Sequence, residues 1–184
     1  MAWNIFRRRV LQVMRSSPSG PDQIARAIAG AYDSVMRAPS SGDLINKHTL
    51  VRGNTRMLEL WVNSVFLQQS FSPVMLPPNL PSLIAQGFPQ YWLGATLSPG
   101  LPPATVPPGI IASMTVLNPG AVTPLPFPPS QSDSEFVENI ITLAKMHLFT
   151  VGGQMIVNVP SPTGIIPTPA PWIGYKVVDG NIPT

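Results

Sequence analysis

The chain has 184 residues, 24 of them proline and 14 glycine, with 11 Lys+Arg against 8 Asp+Glu. Charged residues are 10% of it, against roughly 25% in an average soluble domain, while 44% hydrophobic content and a mean hydropathy of +0.19 exclude a disordered composition. With no cysteine and only His48 and His147 as histidines, disulfides, thiolate zinc sites and a histidine-rich metal centre are excluded.

The first predicted element is an amphipathic helix over residues 1–15, with Trp3, Phe6, Val10 and Val13/Met14 on one stripe and Arg7, Arg8 and Arg9 largely elsewhere. Residues 16–20 break it, and a basic arm over 1–20 is the expected unit. A second helix starts at Pro21, with Asp22 in its first turn. It carries Ile24, Ala27/Ile28, Ala31 and Val35 as its buried face and stops before Pro39. Residues 39–53 read as a loop.

A third helix runs from about Thr55 to Gln69 after Asn54 as cap. Its apolar residues, from Met57 to Leu67, cover most of the circumference, so it calls for partners on several sides. Residues 21–72 form the expected helical segment. The stretch 73–131 is predicted to be an extended arm near polyproline II, with a short strand at Gly109–Leu117. Ser132 and Glu135 then form a capping box for a helix carrying Phe136/Val137, Ile140/Ile141, Ala144 and His147/Leu148. Gly152-Gly153 is predicted to end that helix. Strands follow at 154–159 and Trp172–Val178, so 132–184 reads as a helix, short strands and a proline-rich tail.

Charge is unevenly placed. Residues 60–132, 73 in a row, contain no Asp, Glu, Lys, Arg or His. The first 59 residues carry net +5, and the last 52 carry net −2. A spanning helix does not explain the gap: 15 of the 24 prolines fall between Pro73 and Pro129, which leaves no run of about 18 apolar residues. The expected fold class is mainly α with long extended Pro-rich arms and a few short strands, a small helical body with non-globular extensions.

Catalytic chemistry has little to stand on. No nucleophile-elbow pattern accompanies the serines, and His147 lies on the apolar side of its helix, where a hydrogen-bonded core histidine is the simpler reading. Asp133, Glu135 and Glu138 cluster at a helix start, which the helix dipole explains. Gly152-Gly153-Gln154 matches the tripeptide of peptide-release factors without their basic context. No catalytic, cofactor-binding or metal-binding residue is assigned, and no enzyme, cofactor or small-molecule substrate is expected.

A charge-free, proline-stiffened arm can be fixed on a partner at low entropic cost and without stranding ions. Left exposed, it would be a large apolar patch. The composition therefore implies obligate assembly. Partner-binding candidates are Trp3, Phe6, Trp92, Phe127 and Trp172 as aromatic anchors, with Arg7, Arg8 and Arg9 for a protein, nucleic-acid or anionic surface. Trp61 reads as core. A proline-rich ligand for adaptor domains fits poorly, because 73–131 has no flanking charges.

The stretch from Tyr91-Trp92-Leu93-Gly94-Ala95 through Pro107-Pro108-Gly109 to Phe136, His147 and Thr150-Val151-Gly152-Gly153 resembles, in style, structural virion proteins of tailed double-stranded DNA bacteriophages. The resemblance covers about the second half of the chain and transfers no functional residue. It implies a non-enzymatic subunit of the virion, in the capsid, neck, tail or baseplate. Its partners would be other virion subunits and copies of itself in a symmetric assembly. The alternative is a membrane-associated or organelle-targeted assembly factor using the basic amphipathic N-terminus.

Overall fold

A computed structural model describes residues 2–37, 48–68, 77–99, 111–130 and 132–177. Of the expected loop at 39–53, residues 39–47 lie outside the described residues and 48–52 form a strand instead; the arm residues 73–76 and 100–110 (with Pro107-Pro108-Gly109) and the tail 178–184 also lie outside them. So do the side chains of His48 and Trp172.

Helix α1 spans Ala2–Arg15 and α2 spans Pro21–Met36; strand β1 (His48–Arg52) and helix α3 (Thr55–Gln68) follow. Two short helices, α4 (Leu80–Ala85) and α5 (Phe88–Trp92), lead into strands β2 (Thr96–Pro99) and β3 (Ile111–Asn118). Helix α6 (Asp133–Lys145) precedes the long strands β4 (Leu148–Ser161) and β5 (Gly164–Val177). The five strands form one antiparallel sheet in the order β1-β2-β3-β4-β5.

The helices cover one face of this sheet, the α+β solution to burying one apolar side of each element. Leu50, Leu97, Met114, Val116, Phe149 and Val151 point into the core. They meet Ile24, Ile28, Tyr32 and Val35 of α2, Leu58 and Val62 of α3, and Phe136 and Ile140 of α6 in one buried cluster. Trp92 of α5 stacks on Phe149 of β4 with ring centroids 4.3 Å apart, joining the helical layer to the sheet. The alternate residues Thr115, Leu117 and Leu148 are exposed, so the opposite face of the sheet is open.

This overturns the expectation of a mainly α chain with a few short strands and non-globular extensions. Four of the five described strands lie in the second half of the chain, and residues 80–97, within the expected arm, pack into the core. Leu80, Ile84, Phe88, Tyr91, Trp92 and Leu97 are each at most 1% exposed. Pro81 and Pro89 sit in the first turns of α4 and α5, where no backbone donor is needed. The stretch is uncharged because its own fold surrounds it.

The extended segment 119–130 wraps its own body as well. Val122 is buried, Leu125 and Phe127 pack on the core, and Ser82 Oγ donates to Leu125 O at 2.9 Å. Its entry is fixed by Gly120, at φ +68, where an added Cβ would lie 1.9 Å from Leu148 O.

The helix starting at Asp133 is capped as the sequence predicts, Glu135 N donating to Ser132 Oγ at 3.2 Å. It ends at Lys145, not at the glycines. Gly152 and Gly153 lie within β4, opposite Thr115 and Met114 of β3, and Leu117 lies over Gly152, where a Cβ would meet Leu117 Cδ1 at 2.5 Å. A side-chain-free position therefore lets a neighbouring leucine cross the strand.

Candidate interaction surfaces

The N-terminal helix folds against the body. Trp3 is 8% exposed, and Phe6 and Val10 are fully buried. Trp3 meets Phe6 edge-on at 5.8 Å between ring centroids and Tyr32 at 6.4 Å. Arg7 Nε donates to Glu138 Oε1 on α6 and Arg7 Nη1 to Asn4 Oδ1 at 2.7 Å. Arg9 Nη1 donates to Ser34 Oγ on α2 at 2.5 Å. The hydrogen bond from Arg7 draws the Glu138 carboxyl below its ordinary range. Two of the three arginines thus tie α1 to neighbouring helices, while Arg8 is exposed.

Trp92 is fully buried and donates from Nε1 to Tyr32 Oη at 2.8 Å. Tyr32 in turn stacks on Phe88, with centroids 4.5 Å apart and planes within 7°. Phe127 is half-buried against the core. Trp172 stands opposite Gly153 in the β4–β5 ladder. The structure therefore brings Trp3, Phe6 and Trp92 into the core around Tyr32, with Arg7 and Arg9 at its rim.

Trp61 is half-buried and donates from Nε1 to Leu83 O at 2.9 Å. Its indole occupies the space above Gly87, where an added Cβ would come within 2.3 Å of Trp61 Cδ1.

Three buried or half-buried titratable groups could carry chemistry, and each has a structural role. Tyr91 Oη donates to Asp33 Oδ1 at 2.7 Å, and Arg37 Nε donates to Asp33 Oδ2 at 2.8 Å. Burial pushes Asp33 up, but the hydrogen bonds from Arg37 and Tyr91 outweigh it and leave the carboxyl below its ordinary value. Burial, reinforced by Asp33, raises Tyr91, which therefore stays a neutral donor. Arg37 Nη1 also reaches Val51 O at 3.1 Å, so this network fastens α2 to β1 and α5.

His147 is completely buried, with Nε2 2.7 Å from Pro119 O. That carbonyl can only accept, so Nε2 carries the proton and Nδ1 is left buried without a partner. Burial lowers its pKa to about 4, against the opposing effect of the Pro119 bond.

A cleft of about 440 Å³ lies between the start of α3 and the end of α5, lined by Arg52, Asn54, Thr55, Arg56, Leu93 and Gly94. Arg56 is bound to Glu59 at 2.8 Å. A shallower groove of about 360 Å³ lies between Pro78–Ser82 and Pro124–Phe127. Neither contains Asp33, Tyr91 or His147. Among the described residues no cluster of His, Asp or Glu could hold a metal ion. None of the described helices is long and apolar enough to cross a membrane.

The surface that stands apart is the distal β4–β5 hairpin. Its strands pair residue for residue from Leu148↔Val177 to Ser161↔Gly164, turning at Pro162-Thr163. Beyond Met155, where the pairing with β3 begins, the hairpin projects as a two-stranded ribbon among the described residues. None of its described side chains between 154 and 171 is buried. Val159, Ile165, Ile166 and Ile173 are 43%, 69%, 49% and 68% exposed. From Leu148 to Tyr175 there is no Asp, Glu, Lys, Arg or His.

The sequence predicts short strands and a proline-rich tail here, and the structure has one long hairpin instead. The signal for a hairpin was present in the alternation of prolines, 167, 169 and 171, which keeps one strand edge free of donors. A second exposed apolar stripe runs along α3 at Met57, Leu60 and Leu67, three of the residues that made that helix apolar nearly all round.

Comparison of the chain with protein-family models, curated proteins and solved structures gives no match.

Proposed function

We propose that the chain is a non-enzymatic structural subunit of a virus particle, a capsid, neck, tail or baseplate component, that engages its neighbours through the β4–β5 hairpin. The observation that carries this reading is the projecting ribbon itself. It is uncharged from Leu148 to Tyr175, carries exposed Val159, Ile165, Ile166 and Ile173, and has no helix against it among the described residues. A lone two-stranded ribbon with apolar faces gains little by projecting into water. In an assembly the same ribbon is a proline-stiffened arm that loses little entropy on docking.

The body supplies the anchor rather than chemistry: its buried tyrosines, Asp33 and His147 hold elements together and face neither cleft. The N-terminal helix offers its neighbours Arg8 and Arg15, because its apolar face is spent on the core. That weighs against the membrane or targeting alternative, which needs Trp3, Phe6 and Val10 free.

Quantitative mass spectrometry of purified particles tests the reading. The chain is expected at a fixed multiple-copy stoichiometry. A variant in which residues 155–170 are replaced by an Asn-Gly turn is expected to keep its helical circular dichroism and to be lost from the particles. Absence of the intact chain from particles, or full incorporation of the shortened one, would overturn it.

A further inference from the structure

The backbone of the hairpin decides how it can be approached. Proline has no N–H, so the pairs Asn158↔Pro167, Ile156↔Pro169 and Gln154↔Pro171 are the non-hydrogen-bonded pairs of the ladder. The backbone groups of residues 167, 169 and 171 therefore point away from β4, to the edge of the sheet that no other described strand occupies. Three successive outward positions on that edge offer no donor, and a strand laid against β5 would find only carbonyls there. Strand addition at this edge is closed. On the β5 side a partner is therefore left the faces of the ribbon, which is also where its exposed isoleucines lie.

One face is continuous with the open side of the body sheet. The register places Thr115, Gly152 and Ile173 in one row across β3, β4 and β5. Alternation then puts Pro171, Pro169, Pro167 and Ile165 on the same side as Ile173, with Gln154, Ile156 and Asn158 beside them. Leu117 and Leu148 extend this face over the body and are 58% and 44% exposed. Along the ribbon, from Gln154 to Pro171, this face has amides as its polar groups and no charge, while on the body the row of Thr115 continues through Thr96 to Arg52 of β1.

We infer that this face packs on the same face of a second copy of the chain, forming a two-fold symmetric pair. The inference rests on the assembly reading above and names a partner for the same hairpin. Charge argues for the second copy. A two-fold contact sets each surface against itself, so any unpaired charge near the axis meets its own kind. The chain is +3 overall, and the uncharged ribbon face is where it can meet itself without that repulsion.

The dimensions also suffice. A strand of 14 residues at roughly 3.4 Å per residue spans about 48 Å, and two strands are about 10 Å wide. Face-to-face packing then covers roughly 500 Å² per copy, or about 1,000 Å² for the pair, the size at which specific interfaces begin.

Light scattering on the full-length chain, with two charge variants, tests this. The wild type is expected at twice its 19.8 kDa mass. Ile165→Asp with Ile173→Asp, and separately Ile165→Lys with Ile173→Lys, are expected at the single-chain mass, since both positions are exposed and neither change disturbs the core. Mixing the acidic and basic variants is expected to restore the doubled mass through opposite charges across the two-fold. A wild type at single-chain mass overturns the pairing, as do charge variants whose mass equals the wild type's. The two readings separate cleanly: a monomeric chain that still enters particles through its hairpin removes the pairing alone, and a dimeric chain absent from particles removes the virion role alone.

Discussion

Residues 77–97 and residues 148–175 are alike in sequence, free of charged residues and histidine and interrupted by proline, and opposite in fate. The first folds into α4, α5 and β2 and buries its large apolar side chains in the core, Leu93 excepted. The second runs from a buried base at Phe149 and Val151 into a ribbon open on its faces. Absence of charge therefore does not by itself say whether a segment is buried in its own fold. The positions of the prolines carry the missing information. Pro81 and Pro89 open helices, where a donor is superfluous, whereas Pro167, Pro169 and Pro171 alternate along a strand and clear one edge.

The comparison breaks most sharply on paired truncations. Trp92→Ala removes a fully buried indole that stacks on Phe149 and bonds Tyr32, and is expected to cost about 3–5 kcal/mol in denaturant unfolding. Ile173→Ala, on the ribbon, is expected to change the stability of the isolated chain by less than about 0.5 kcal/mol. A Trp92→Ala loss as small as that at Ile173 would return the 77–97 region to the status of an arm.

Much of the helical layer was legible in the sequence. The periodicity of α2, the cap at Ser132 and the proline at position 21 are local signals, and the structure starts both helices where they point, although α6 ends at Lys145 and not at the glycines. Two things were not legible. Helices α4 and α5 are only six and five residues long, too short for a 3.6-residue period to register, and each opens with a proline that reads as a breaker. The long hairpin is hidden because apolar residues, prolines and a few uncharged polar residues occur on both its faces, so the alternation that marks a half-buried strand is missing. Glycines 152 and 153, which look like a helix stop, belong to that strand because Leu117 needs the space above Gly152. Among the partner-binding candidates, Trp3, Phe6 and Trp92 stand out in the sequence by aromatic size, a property that core and interface residues share. Exposure separates the two, and exposure depends on the whole fold.

His147 sits where the buried region hands over to the ribbon, one residue before β4. Its ordinary pKa is 6.5 and its folded value about 4, lowered by burial. Between those values the unfolded chain holds the extra proton, so stability falls as the pH drops from 6.5 towards 4, by up to about 3 kcal/mol. Asp33 and Glu138, both held below their ordinary carboxylate values, lose their contribution only at lower pH. His147→Gln is expected to flatten the slope between pH 6.5 and 4.5 in urea unfolding. An unchanged slope would place the titration elsewhere.

A smaller effect is expected at the polar tie between α2 and α5. Tyr91→Phe keeps the ring against Tyr32, 5.0 Å away, and deletes the bond to Asp33. Arg37 still holds the other carboxylate oxygen, so the loss is expected at about 1–2 kcal/mol by thermal or urea unfolding. A neutral result would mean that water replaces the phenol at Asp33, and that the α2–α5 contact is held by ring packing alone.

The prolines themselves give the finest distinction. In β5 the nitrogen of Pro169 points to the outer edge, so Pro169→Thr adds a donor that faces no other strand among the described residues. Stability should move by less than about 0.5 kcal/mol, and a single new donor should leave the solution behaviour as it was. Replacing Pro167, Pro169 and Pro171 together by Thr restores three outward donors in a row, and with them an edge that another strand can join. The triple variant is expected to associate progressively with concentration, with a rise in β signal by circular dichroism, where the wild type holds a fixed mass. If the triple variant instead keeps that fixed mass, the edge is closed by something other than its missing donors, and the prolines serve only to stiffen the ribbon.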